Sequence, residues 1–114
     1  MAVTIYHNPR CNTSRKTLAL LREKGVEPHI VEYLKTPLPP NELRHLIHDQ
    51  LKVKVSDVIR AKEPVYEEME LEGRDEDCLL AAMSAHPILM NRPIVVTPKG
   101  AMLCRPGEVV ENLL

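Results

Sequence analysis

The residue with the clearest chemical potential in this sequence is Cys11, which follows a strand pattern and a turn and stands where a helical pattern begins. Free N–H groups and the dipole at a helix N-terminus stabilise an anion, so a thiol placed there ionises more readily than usual. Arg10 and Arg15 flank it and are expected to act in the same direction, and His7 lies four residues earlier. We therefore predict a nucleophilic thiolate at Cys11, with His7 stabilising it by charge or by a hydrogen bond.

The residues that follow Cys11 restrict what this thiolate can do. Ser14 occupies the position at which a dithiol oxidoreductase carries its second cysteine, and a serine cannot resolve a disulfide. Cys11 is therefore expected either to form a mixed disulfide with an outside thiol or to attack an electrophile other than sulfur. The C-x5-R spacing of phosphatase loops is absent, because Thr17 stands where the arginine would be.

Composition excludes several classes of protein. The 114 residues suit one domain, and 15 Lys and Arg against 16 Asp and Glu give a net charge of −1, which favours neither a nucleic acid nor an anionic membrane as partner. No apolar stretch could span a bilayer, and the N-terminus resembles no signal peptide. The odd, widely spaced cysteines Cys11, Cys78 and Cys104 indicate free thiols in a reducing, cytoplasmic setting. His45 and His48 share a helix side without completing ligands, so we predict no metal site.

The order of predicted elements indicates an α/β fold. Four segments read as strands: 3–6, 28–34, 94–96 and 101–104. A helix from Cys11 to Gly25 joins the first two, as in a parallel strand–helix–strand unit, and Pro106 opens a last helix. The block between them, about residues 38–86, reads as helical, with Asn41 as a candidate cap. We predict a thioredoxin-like mixed sheet in a single domain, 1–114, with this helical block as an insertion.

Three segments resemble the signatures of the ArsC-type arsenate reductases, the family coupled to glutathione and glutaredoxin. They are Tyr6–Arg15, His86–Val96 and Leu103–Pro106, and they follow one another in order along nearly the whole chain. The resemblance implies the thioredoxin-like fold and the reduction of arsenate to arsenite. The length of the chain is similar to that of the compact chromosomal branch.

The resemblance also implies a role for individual residues. Cys11 would be the nucleophile and His7 would assist its ionisation, while three arginines would line the site of the oxyanion: Arg60, Arg92 and Arg105. Planar guanidinium groups suit a tetrahedral oxyanion because they donate hydrogen bonds in a fork. Supporting roles fall to Ser14, to Arg15 and to Pro93, whose peptide bond is expected to be cis, as is common at this place in thioredoxin-like folds.

The implied partners are arsenate, glutathione as co-substrate and glutaredoxin, with no bound cofactor and a monomeric protein. Two other functions fit parts of the pattern. A glutathione-dependent thiol oxidoreductase would use Cys11 for a mixed disulfide, and the family's arginines would then have no oxyanion to bind. An Spx-like regulator of RNA polymerase would usually carry C-x-x-C, where this sequence has Ser14.

Overall fold

The chain separates into two compact units in the computed structural model, which describes residues 2–114. The first unit contains the residues up to Thr36 together with Arg92–Leu114, and the second contains Pro37–Asn91. The single domain with an insertion at about 38–86 stays a prediction. The second unit nevertheless begins and ends close to the predicted limits of that insertion.

The first unit contains a four-stranded mixed sheet of the thioredoxin-like kind, which confirms the predicted fold class. Its strands are β1 (Thr4–Tyr6), β2 (His29–Val31), β3 (Ile94–Thr97) and β4 (Gly100–Leu103). Their order in the sheet is β2-β1-β3-β4. Strands β1 and β2 are parallel, whereas β3 is antiparallel to both β1 and β4. Strand β2 is shorter than predicted, because the chain turns where the carbonyl of Glu32 accepts hydrogen bonds from the N–H groups of Lys35 and Thr36.

Helix α1 (Asn12–Glu23) buries one face in a core of the first unit that is formed by aliphatic side chains and one cysteine. The buried residues of that core are Val3, Ile5, Leu18, Leu21, Val95, Cys104, Val110 and Leu113. The helix ends at Glu23, two residues before the predicted stop at Gly25, whose φ of +77° is the left-handed conformation that glycine adopts at little cost. The last element, Gly107–Leu113, is a 3₁₀-helix that packs against α1.

The second unit is built from helices and turns, as the sequence predicts for this region. Its α-helices are α2 (Pro40–Arg44), α3 (Pro64–Glu68) and α4 (Glu76–Ala85). A π-helix, His45–Leu51, continues α2. The predicted cap at Asn41 is wrong, because Pro40 occupies the first helical position and Pro39 the cap. Asp75 does cap α4, and its Oδ1 accepts a hydrogen bond of 2.9 Å from the N–H of Cys78.

Within residues 2–114 there is no helix that is both long enough and apolar enough to cross a membrane.

Replacing Leu21 by alanine tests the aliphatic core of the first unit. Leu21 is completely buried, so we expect the substitution to lower the free energy of unfolding by about 2–5 kcal/mol through lost transfer energy and a residual cavity. The neighbouring Leu20→Ala variant is a matched control, since Leu20 is only partly buried, and its loss should be smaller. Urea denaturation followed by circular dichroism measures both, and equal losses would contradict this account of the packing.

Candidate active site

Cys11 lies at the end of a loop that joins β1 to α1 and is held by its own backbone. The N–H of Cys11 donates to the carbonyl of Asn8 at 3.0 Å, and the N–H of Arg10 donates to Asn8 Oδ1 at 2.9 Å. Cys11 is the N-cap of α1, and its carbonyl accepts a hydrogen bond from the N–H of Arg15 at 3.0 Å. The predicted position of the thiol at the start of the helix is confirmed.

The register of the sheet brings two distant arginines to this loop. Tyr6, the last residue of β1, pairs with Ile94 of β3, and Ile94 pairs with Leu103 of β4. Arg92 precedes β3 and Arg105 follows β4, so both lie beyond the edge of the sheet at which β1 ends. Nη1 of Arg105 is 3.8 Å from Sγ of Cys11 and donates to the carbonyl oxygen of Arg92 at 3.0 Å. Arg105, widely separated in sequence from Cys11, thus contacts its sulfur and holds the backbone of Arg92 beside it.

The surroundings of Cys11 favour its thiolate. Burial acts to raise the pKa of the thiol, but it is outweighed by hydrogen bonds to the sulfur from the backbone N–H of Ser14 and from the guanidinium groups of Arg92 and Arg105. Together with the positive charge of Arg92 they lower the pKa of Cys11 to about 7. A substantial fraction of the sulfur is therefore ionised at neutral pH.

Both arginines precede a cis peptide bond. The Arg92–Pro93 bond is cis, as the family resemblance implies, and so is the Arg105–Pro106 bond, which nothing in the sequence indicated. The carbonyl of Pro93 accepts a hydrogen bond of 2.8 Å from the N–H of Cys104.

His7 contacts Ser14. Its Nδ1 lies 2.6 Å from Ser14 Oγ, which also accepts a hydrogen bond of 3.1 Å from the N–H of Asn8. These contacts are satisfied together when the serine hydroxyl donates to an unprotonated Nδ1. Burial lowers the pKa of His7, partly opposed by Glu32, which favours this neutral imidazole. His7 thus supports the residue whose backbone N–H holds the sulfur, and its predicted part in the ionisation of Cys11 stays a prediction.

The side chain of Arg15, four residues after Cys11, has contacts other than the sulfur. Nη1 of Arg15 donates to the carbonyl of Pro9 at 2.8 Å, and its other terminal nitrogen donates to the side chain of Asn12, so Arg15 braces the loop from both ends. The guanidinium groups that hydrogen-bond to the sulfur come from positions 92 and 105 instead. Proximity in sequence therefore did not identify the arginines that hydrogen-bond to the sulfur, and the support that Arg10 and Arg15 give to the thiolate stays a prediction.

Arg60 belongs to the second unit. Its Nε donates to Glu63 Oε1 at 3.1 Å, its Nη1 donates to Asn91 Oδ1 at 3.2 Å, and its N–H donates to the carbonyl of Leu89 at 2.7 Å. The part of Arg60 in an oxyanion site stays a prediction.

Gly107 is a supporting residue that the sequence analysis missed. A Cβ atom at this position would stand 2.9 Å from Thr17 Oγ1, so the backbone that follows Arg105 lies directly on α1. Thr17 is fully buried and its hydroxyl donates to the carbonyl of Thr13 at 2.8 Å, which fixes the surface that Gly107 meets. A glycine after a proline was the only signal in the sequence, and it equally suits an ordinary turn.

The other two cysteines differ sharply from Cys11. Cys104 is fully buried, and burial raises its pKa to about 12, so it remains a protonated thiol. Cys78 is exposed in the first turn of α4. Over residues 2–114, no three His, Cys, Asp or Glu side chains are grouped so that they could hold a metal ion.

A thioredoxin-like sheet with one activated cysteine at the start of its first helix and arginines at its sulfur defines a class of thiol-based oxidoreductases. Residues 6–113 match the ArsC family, and the chain belongs to that family. It is 50% identical to the arsenate reductase of Rhizobium meliloti (strain 1021), in an alignment that covers all of this chain and 82% of that protein.

Two further relatives are close to this chain in length. It is 46% identical to the uncharacterized protein YfgD of Escherichia coli (strain K12), over 98% of this chain and 96% of the relative. The solved structure of an arsenate reductase from Vibrio cholerae superposes with a TM-score of 0.94 at 44% identity, covering 100% of this chain and 98% of the other.

Alkylation of Cys11 by iodoacetamide should depend on pH with a midpoint near 7, because only the thiolate reacts and the pKa of Cys11 is about 7. The rate should rise as the pH rises through that value and level off above it. The Cys78→Ser variant removes the exposed competing thiol, and peptide mass spectrometry identifies the modified residue. A midpoint near the ordinary thiol value of about 8.5 would contradict the activated site.

The Arg105→Ala substitution should move this midpoint upward, because the sulfur loses a hydrogen bond from a cation. The same alkylation experiment measures the shift, and circular dichroism checks that the fold is retained. Arg74→Ala is a suitable control, since Arg74 belongs to the second unit and bonds to the carbonyl of Glu70. An unchanged midpoint in the Arg105 variant would show that this guanidinium does not stabilise the thiolate.

Proposed function

We propose that the protein is an arsenate reductase in which Cys11 attacks arsenate, with glutathione and glutaredoxin completing the reduction. The observation that carries this proposal is the contact of Arg105 Nη1 with Cys11 Sγ at 3.8 Å, with Arg92 as a second guanidinium donor to the same sulfur. Cations at an anionic nucleophile are required when the electrophile is itself an anion. The names of the relatives support arsenate as that electrophile.

In the first step the Cys11 thiolate attacks the As(V) atom. An S–As bond forms, one As–O bond breaks, and the departing oxygen leaves as water after protonation. Arg92 and Arg105 offset the repulsion between the two anions, which amounts to several kcal/mol at a few ångströms in a partly desolvated site. They also donate hydrogen bonds to the remaining oxygens, with Arg60 proposed as a third guanidinium donor.

The next steps supply two electrons. The thiol of glutathione adds to the arsenic of the Cys11 adduct and a second water leaves. A glutaredoxin thiolate then attacks the glutathione sulfur, forming a mixed disulfide, while the electron pair of the broken As–S bond remains on arsenic and reduces it to As(III). Water finally hydrolyses the S–As(III) bond, releasing arsenite and the Cys11 thiol. No bound cofactor takes part, and we propose a monomeric, cytoplasmic enzyme.

The reaction needs an outside thiol because neither Ser14 nor Cys104 can supply the electrons for the reduction. Ser14 stands where a resolving cysteine would be and cannot form a disulfide. Cys104 is fully buried and protonated, since its pKa is about 12, so it is a poor nucleophile. The electrons must then come from thiols in solution or on a partner protein.

A coupled assay with arsenate, glutathione, glutaredoxin, glutathione reductase and NADPH tests the proposed function. The protein should oxidise NADPH in proportion to the arsenite formed, and Cys11→Ser should reduce this rate to background, because it removes the nucleophile. Cys78→Ser is the matched control and should keep full activity, since that thiol lies exposed on α4. Reduction of a glutathione mixed disulfide without any arsenite would instead indicate the thiol oxidoreductase.

Arg92→Ala and Arg105→Ala should each raise the KM for arsenate at least tenfold, which corresponds to about 1.4 kcal/mol of lost binding. The loss is expected because each substitution removes a forked cationic donor from the oxyanion. Lysine at either position should restore only part of the affinity, since it keeps the charge and loses the fork. Steady-state kinetics at saturating glutathione measures these constants, and an unchanged KM in both variants would contradict the assigned oxyanion site.

A further inference from the structure

A small cavity lies beside the nucleophile loop and takes no part in the steps described so far. Its volume is about 220 Å³. Three lining residues, Asn8, Pro9 and Arg10, come from the loop itself, and three follow strand β2: Glu32, Leu34 and Lys35. All six belong to the first unit, which also carries Cys11.

The parallel pairing of β1 and β2 explains why these two segments meet. The carboxyl ends of parallel strands lie at the same edge of a sheet, and the residues that leave both strands are therefore neighbours. The N–H of His7 donates to the carbonyl of Val31 at 2.8 Å, which continues the pairing into the loop. The cavity is thus a fixed consequence of the sheet that also positions Cys11.

The charges around the cavity are mixed. Arg10 and Lys35 contribute two positive charges and Glu32 contributes one negative charge, which leaves one positive charge in excess. Lys35 Nζ lies 3.6 Å from Glu32 Oε1, whereas residues 2–114 provide no ion pair for the exposed guanidinium of Arg10. Such a site is complementary to a small ligand that carries a carboxylate and an ammonium group.

We propose that this cavity binds the γ-glutamyl end of glutathione, an inference that rests on the proposed function. That end carries an α-carboxylate and an α-ammonium group, which match Arg10 with Lys35 and Glu32 respectively. The cavity is large enough for one amino-acid arm and not for the whole tripeptide. Because Arg10 directly precedes Cys11, the proposal directs the cysteinyl part of the ligand toward the arsenic on Cys11.

Kinetics with altered lining residues tests this assignment. Arg10→Gln and Lys35→Gln should each raise the glutathione concentration for half-maximal rate at least fivefold, and leave the KM for arsenate within twofold of wild type. Lys24→Gln is the control, because Lys24 follows the far end of α1 and pairs with Glu111 at 3.9 Å. Cysteinylglycine, which lacks the γ-glutamyl group, should show no difference between wild type and the Arg10 variant. A rise in the KM for arsenate, or none for glutathione, overturns the proposal.

Binding of an unreactive analogue separates this proposal from the proposed function. S-methylglutathione, titrated into the full chain and followed by NMR, should shift the amides of Asn8, Arg10 and Lys35 saturably, with at least fivefold weaker binding in Arg10→Gln. If the chain produces no arsenite and this binding is still observed, the function fails and the cavity assignment stands. If arsenite forms and these amides do not respond, or if inorganic phosphate saturates them equally well, the cavity assignment is overturned.

Discussion

The candidate site of the first unit depends on one electrostatic constraint, the presence of an ionised sulfur at a partly buried position. Burial alone would keep Cys11 protonated, because a charge loses hydration when it leaves water. The backbone N–H of Ser14 and the guanidinium groups of Arg92 and Arg105 reverse that preference. In the proposed function the same two arginines also receive the arsenate, so a single arrangement would serve both the nucleophile and the group that it attacks.

The mixed sheet is what brings these groups to one place. The parallel pairing of β1 with β2 does not by itself bring the arginines near Cys11. Arg92 and Arg105 flank the hairpin of β3 and β4, which joins β1 through the antiparallel strand β3. The close contact of Gly107 with Thr17 holds the chain after that hairpin against α1. The helix that presents the sulfur and the segment that presents Arg105 are thereby packed directly on each other.

Local patterns predicted the order of the strands and the position of Cys11 at the start of α1. Cys11 stands between a strand and a helix, and that placement alone predicts an activated thiol. The residues that contact the sulfur were harder to predict from the sequence. Arg92 and Arg105 approach Cys11 through strand pairing, and the family resemblance pointed to them. The same limitation explains why the contact of Arg15 with the loop and the contact of His7 with Ser14 were not predicted.

The limits of individual elements also depend on contacts that a single segment does not encode. Strand β2 ends early because the carbonyl of Glu32 accepts two turn hydrogen bonds. Asn41 has the right chemistry for a helix cap, but the prolines before it already fix the first turn. In both cases the backbone of a neighbouring residue determines where the strand or helix begins or ends.

The hydrogen bond between His7 and Ser14 has a consequence in acid. A proton added to the imidazole would occupy Nδ1 and face a hydroxyl hydrogen that already points toward it. The hydroxyl would have to rotate, although Ser14 is completely buried and its hydroxyl cannot turn toward solvent for a new hydrogen bond. Because burial lowers the pKa of His7, this protonation and the rotation of the hydroxyl require a lower pH than a histidine in water would need. In the neutral range these hydrogen bonds therefore keep one direction. The N–H of Asn8 donates to Ser14 Oγ, and the hydroxyl of Ser14 donates to His7 Nδ1.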